Sequence, residues 1–210
     1  LSTSEKYHTE LLFFILFADY DNYDKNISYN SLYFQQLIKH LADYSKVGIH
    51  PSYASMEQPQ KLTAEIKRLS KVLHKPIVRS RFHFLRFQLP TTYNNLIKNN
   101  IDSDFSMGYS NEYGFRASIC TPFNFYDLET DTETNLVIHP FAVMDTALKM
   151  YLKYSPDEAL NVLKSIIDEI KSVDGTFYSI WHNNNLCESF GWKGWSKVYE
   201  QMIDYVYKQN

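Results

Sequence analysis

The chain of 210 residues has only two cysteines, Cys120 and Cys187, too few for a disulfide framework and without the CxxC spacing of a metal knuckle. Two reduced thiols are expected, and so sparing a use of cysteine points to the cytoplasm. No long apolar run is present: the longest, Leu11 to Ala18, falls far short of the roughly 20 residues that span a bilayer. Neither sign of charge dominates, Lys+Arg 21 against Asp+Glu 24 leaving −3, and no basic block exists to neutralise phosphates, which speaks against a nucleic-acid partner. No GxGxxG or GxxxxGK[ST] follows an expected strand, and the absence of GxSxG leaves Ser52 and Ser106 without a nucleophile-elbow context. Signal and transit sequences, internal repeats and low-complexity tracts are also missing. The first residue is Leu1, from which a C-terminal portion of a longer protein is expected.

What remains is a composition able to bury a core, 44% hydrophobic and 16% aromatic with 21% charged. The length is about 1.4 times the roughly 150 residues of a usual domain, so one domain over 1–210 is expected. Leu11 to Ala18 reads as a strand buried on both faces. A helix capped by Ser28 or Asn30 follows, with Leu32, Phe34, Leu37, Ile38 and Leu41 at helical spacing. Lys46 to Ile49 is a second strand, and a helix from about Gln58 carries Leu62, Ile66, Leu69 and Leu73 on one face. Ile77 to Phe84 and Asp104 to Met107 read as further strands about a short helix starting at Pro90-Thr-Thr92. An irregular stretch from Tyr109 to about Glu133 precedes short extended pieces at Val137 to His139 and Ala142 to Met144. Ser155-Pro156-Asp157-Glu158 has the pattern of a capping box opening a helix that runs to about Val173. Thr176 to Trp181 reads as a strand, and a last helix spans about Lys193 to Lys208 with Val198, Met202, Tyr205 and Val206 on one side. Such alternation requires parallel strands with crossover helices, and an α/β barrel leads.

In a barrel the chemistry lies at the C-terminal ends of the strands. There stand His50 after Ile49, His83 late in the third strand, His182 after Trp181, and the Asp19, Asp21 and Asp24 group after Ala18. Neutral imidazole is a common ligand of zinc and related metals, and a carboxylate completes a three-ligand site. The three aspartates are otherwise ordinary solvated loop residues, as are His8, His40 and His74 on helices or their ends. His139, beside Pro140, fits a turn or a supporting role.

The motifs Gly48-Ile-His50-Pro-Ser-Tyr53, Arg79-Ser-Arg81-Phe-His83-Phe, Met107-Gly-Tyr109, Gly114-Phe-Arg116-Ala117, Pro122-Phe123, Asp127-Leu128, Val143-Met-Asp145 and Ile180-Trp-His182-Asn183 follow in this order. Together they resemble bacterial proteins of the polysaccharide deacetylase superfamily, in a divergent branch related to carbohydrate esterase family four. The resemblance implies a distorted (β/α) barrel and metal-assisted removal of acetyl groups from sugar amides or esters. It makes His50 the first histidine of the family's His-x-x-x-His motif, whose second position falls here on Ala54, with His83 as the replacement ligand. It makes His182, held by Asp145, the acid that protonates the leaving amine or alkoxide. Arg81 and Arg116 become candidates for the arginine that pairs with the family's catalytic aspartate, or are structural guanidiniums. The first strand of that barrel, which bears the family's two aspartates, is expected upstream of Leu1.

The implied cofactor is a divalent metal, zinc first, with cobalt, nickel or manganese as alternatives; the implied partner is a glycan. Tyr109, Trp181 and Trp192 are candidates to contact the sugar, and Trp181, Trp192 and Trp195 fit either a platform or the core. Two other readings stand beside the deacetylase: a catalytically degenerate barrel that binds a glycan or serves a structural part, suggested by Ala54, and a different barrel metallohydrolase using His50 and His83.

Overall fold

Leu12–Ile15 (β1) runs parallel to Lys46–Ile49 (β2), with Leu12 opposite Lys46 and Ile15 opposite Ile49. Parallel neighbours need a crossover, and Leu32–Tyr44 (α1) supplies it. The same device repeats: Pro59–Leu73 (α2) leads to Arg79–Ser80 (β3), and Thr91–Lys98 (α3) leads to Ser103–Asp104 (β4). Phe123–Asp127 (β5) and Thr132–Ile138 (β6) form an antiparallel hairpin, and β6 lies parallel to β4. The resulting sheet has the order β1-β2-β3-β4-β6-β5. This computed structural model describes residues 6–7 and 9–208, so His8 lies outside the described residues.

The chain is α/β with a mostly parallel sheet, and its ladders among the described residues leave β1 and β5 as edges. Two compact units divide it: residues 1–106 with 123–138, and residues 107–122 with 139–210. In the first, Phe17, Ile38, Ile49, Leu62, Leu69, Phe82, Tyr93, Leu96 and Ile138 are buried. β1 differs from expectation in being shorter and only half-buried at Leu12, Phe13 and Phe14, as befits an edge strand. The cap of α1 is Ser31, not Ser28 or Asn30: Ser31 Oγ accepts from Phe34 N, while Ser28 Oγ accepts from Asn30 N in the preceding turn. Of the α1 stripe only Ile38 is buried, while Leu32 and Leu37 are exposed. α2 buries Leu62, Ile66 and Leu69 as expected, and also Glu65.

In the second unit Val143–Met144 (β7) lies parallel to Ser179–Ile180 (β8). Pro156–Ser172 (α4) starts with the expected capping box, Ser155 Oγ accepting from Glu158 N and the Glu158 carboxylate accepting from Ser155 N. Trp195–Lys208 (α5) packs along it, and Tyr205 donates its hydroxyl hydrogen to Asp168 at 2.8 Å. Leu148, Leu163, Ile167, Trp195, Val198 and Met202 form this core. A π-helical turn, Ala147–Tyr151, follows β7.

Candidate active site

β2 ends at Ile49, and the chain turns into His50-Pro51-Ser52-Tyr53 under the control of two buried carboxylates. Glu65 on α2 accepts from Ser52 N at 3.0 Å, and Asp24 accepts from Tyr53 N at 3.0 and 3.1 Å through its two oxygens. Burial pushes the Glu65 carboxyl up, hydrogen bonds from Ser52 working against this. Gly48, two residues before His50, has no room for a side chain: a Cβ there would lie 2.8 Å from both the Arg79 carbonyl oxygen and the Phe14 ring.

His50 is buried, and its Nδ1 donates to the carbonyl of Arg81. Since a carbonyl only accepts, the Nδ1 proton is fixed and Nε2 is the ring's basic nitrogen. His83 is not within β3, which is only two residues long; it begins a 3-10 turn, His83–Leu85. Its Nδ1 donates to Asp24 Oδ1 at 2.8 Å, and its ring centre lies 4.9 Å from that of His50. Asp24 is thus a buried anchor, 2% exposed, not a solvated loop residue, whereas Asp19 and Asp21 are exposed.

The segment that delivers His83 is fixed from β4. Asp104, fully buried, accepts from Ser80 Oγ at 2.6 Å, from Ser106 N at 2.9 Å and from Ser106 Oγ at 3.0 Å; Ser106 Oγ in turn accepts from Phe82 N at 2.9 Å. Burial pushes the Asp104 carboxyl up to about 6, against the opposing hydrogen bonds of Ser80, Ser106 and Tyr93. Arg81, one residue further, places its guanidinium over the Phe14 ring at 5.5 Å.

In the second unit Asp145 follows β7 and His182 follows β8. Asp145 Oδ1 accepts from His182 Nδ1 at 2.7 Å; Oδ2 accepts from His182 N at 2.9 Å and from Asn185 Nδ2 at 2.9 Å. The carboxylate is 1% exposed, and the His182 side chain is 35% exposed. This is a buried anion holding an accessible imidazole by its Nδ1 proton, the arrangement of a positioned acid or base. His139 Nδ1 lies 3.1 Å from the Tyr178 hydroxyl. Arg116 and Tyr109 are exposed. Trp181 is half-buried against Tyr199 and Trp195. Trp192 is 8% exposed, edge-on to Trp195 and beneath the Lys149 ammonium, which places its ring in the core of this unit and not on an open platform.

Three imidazoles are therefore each held through Nδ1 by an oxygen acceptor. That is how ligand histidines are oriented when a carbonyl or carboxylate supports them, and His50 and His83 are the pair that lies close together. Among the described residues no group of three His, Cys, Asp or Glu is arranged to hold a metal ion, so the pair falls short of the three protein ligands of a catalytic zinc.

No family model and no curated protein matches the chain. Its structure is similar to that of a protein from Mycobacterium smegmatis described as a "putative polysaccharide deacetylase", with a TM-score of 0.66 and 12% identity over 98% of this chain and 68% of that one. It is similar also to a protein from Bordetella bronchiseptica, described in the same words and as involved in O-antigen biosynthesis, with a TM-score of 0.55 and 13% identity over 100% of this chain and 76% of that one. The chain shares the fold of these two proteins. No helix among the described residues is long and apolar enough to cross a membrane.

Proposed function

We propose that the chain is a metal-dependent hydrolase domain that removes acetyl groups from an N- or O-acetylated carbohydrate. The observation that carries this reading is the Asp145–His182 pair on a deacetylase fold, a buried carboxylate gripping a solvent-reaching imidazole. His182 would give its proton to the departing amine or alkoxide, and Asp145 would hold the ring in the required orientation. Arg81 and Arg116 are carried into this reading as candidates to pair with the family's aspartate. Within the first unit, His50 and His83 are the residues that would hold a divalent metal, zinc first; when bound, such a metal supplies a water of lowered pKa and polarises a carbonyl.

A second reading, a barrel that binds a glycan without hydrolysing it, is favoured by Ala54 where the family pattern has histidine and by the two-donor count. Acetate release from acetylated oligosaccharides, measured alongside metal content by plasma mass spectrometry, separates the two. The hydrolase reading expects near-stoichiometric metal that is lost in His50→Ala, and turnover that is lost in His182→Ala. Turnover indifferent to His182→Ala would overturn it.

A further inference from the structure

Beside the His50–His83 pair, within the same unit, three aromatic rings gather whose arrangement serves no core. Tyr23 stacks on Tyr53 with ring centres 4.1 Å apart and planes 20° apart; Phe84 stands edge-on to both, at 6.1 and 5.6 Å. The Arg86 guanidinium lies 4.2 Å from the Tyr53 ring centre. With Tyr23 on one face, the guanidinium must take the other, so Tyr53 is the enclosed base of the stack. Tyr23 and Phe84 are its open surface, 55% and 58% exposed.

The backbone is bent to make this so. Phe84 has φ 56° and Leu85 φ 51°, left-handed conformations that bulky residues avoid. The tight turn closes through Leu85 N to Phe82 O and Arg86 N to His83 O, and it buries Leu85 while Phe84 stays out. Left-handed residues of this kind are strained and gather at functional sites. A phenyl ring left in solvent offsets little of that strain through packing. The exposed ring is also contiguous with the candidate chemistry: its centre is 4.4 Å from that of His83.

We propose that Tyr23 and Phe84 form the platform on which one pyranose ring of a glycan stacks, presenting a substituent of that ring to His83. Sugar rings are polar at the rim and apolar on their C–H faces, and aromatic faces suit the latter. At its rim the Arg86 guanidinium donates to the Tyr53 carbonyl and pairs with Glu57, which fixes Tyr53 from below and leaves the Tyr23 and Phe84 faces to the ligand. The sugar contact stands on the rings themselves; only the nature of the reacting substituent rests on the deacetylase reading.

The test is retention of the full chain on an array of N-acetylated and O-acetylated glycans, with acetate release followed in parallel on the best-retained ones. Phe84→Ala and Tyr23→Ala should each weaken retention about tenfold, and Phe84→Trp should keep it, a tenfold change being about 1.4 kcal/mol. The two alanines lie on different segments, so a folding defect in one, seen by circular dichroism, leaves the other informative. No retention of any glycan by the unaltered chain, or retention indifferent to both alanines, overturns the platform. Ring-dependent retention without acetate release upholds the platform and overturns hydrolysis, whereas release that ignores both rings does the reverse.

Discussion

Asp145 holds His182 twice, its Oδ1 accepting from the imidazole Nδ1 at 2.7 Å and its Oδ2 from the backbone amide at 2.9 Å. Asn185 also donates to Oδ2, so the carboxylate organises the whole turn after β8. Asp145→Asn keeps the volume but turns an anionic acceptor into an amide, which disfavours the Nδ1-protonated ring. The turnover of acetylated oligosaccharide should fall by about 10²–10⁴ with little change in KM. Asp145→Ala strips the turn of its acceptor and should cost about 2–4 kcal/mol in urea unfolding.

Asp24 ties His83 to Tyr53 N, so its removal loosens the imidazole and the loop after β2 together. Removing such a supporting carboxylate typically lowers metal affinity about 10–100-fold. That loss is expected for Asp24→Ala in a zinc competition with a chromophoric chelator, with Asp24→Asn in between.

Asp104 gives the fold a pH dependence of unusual sign for an aspartate. Its folded pKa of about 6 lies above the ordinary 3.8, so between these values the folded chain holds a proton that the unfolded chain has lost. Stability therefore declines as pH rises through this window, by about 3 kcal/mol once both states are ionised. Asp104→Asn should lack this decline, and urea unfolding of the two proteins from pH 4 to pH 7 shows the difference as a loss of slope.

Gly48→Ala sets a methyl group against the Arg79 carbonyl oxygen and the Phe14 ring, each 2.8 Å from the added carbon. The strands on either side must part to admit it. About 1–3 kcal/mol of destabilisation is expected, measurable as a lower urea midpoint.

What could be read from the sequence follows the range over which each feature is encoded. The α4 cap is written within four residues, Ser155 to Glu158, and it forms as read. His182 and Asp145 stand just after strands, so their placement follows once the strands are known. Asp24 and His83 are 59 residues apart and meet through tertiary packing alone; no local pattern separates Asp24 from its solvated neighbours Asp19 and Asp21. Glu65 was hidden similarly within an amphipathic helix. The β5–β6 hairpin does carry a local signal within the stretch that reads as irregular: Phe125 and Asp127 are buried and Asn124 and Tyr126 exposed, the alternation of a strand. Ile77 to Phe84 is apolar enough to suggest a long strand, yet the chain leaves the ladder after Ser80 and bends into the turn at His83.

The clasp of Glu65 and Asp24 on consecutive amides changes how the loop after His50 exchanges its hydrogens with water. Loop amides ordinarily trade with deuterium through local opening that costs almost nothing. Here the Ser52 and Tyr53 protons point into carboxylates 3% and 2% exposed, and releasing them requires displacing α2 or the segment of Asp24. The loop after β2 should thus keep time with the core, its Ser52 and Tyr53 amides exchanging on the slow scale of the strands it leaves although no ladder runs through it, which hydrogen–deuterium exchange followed by mass spectrometry checks.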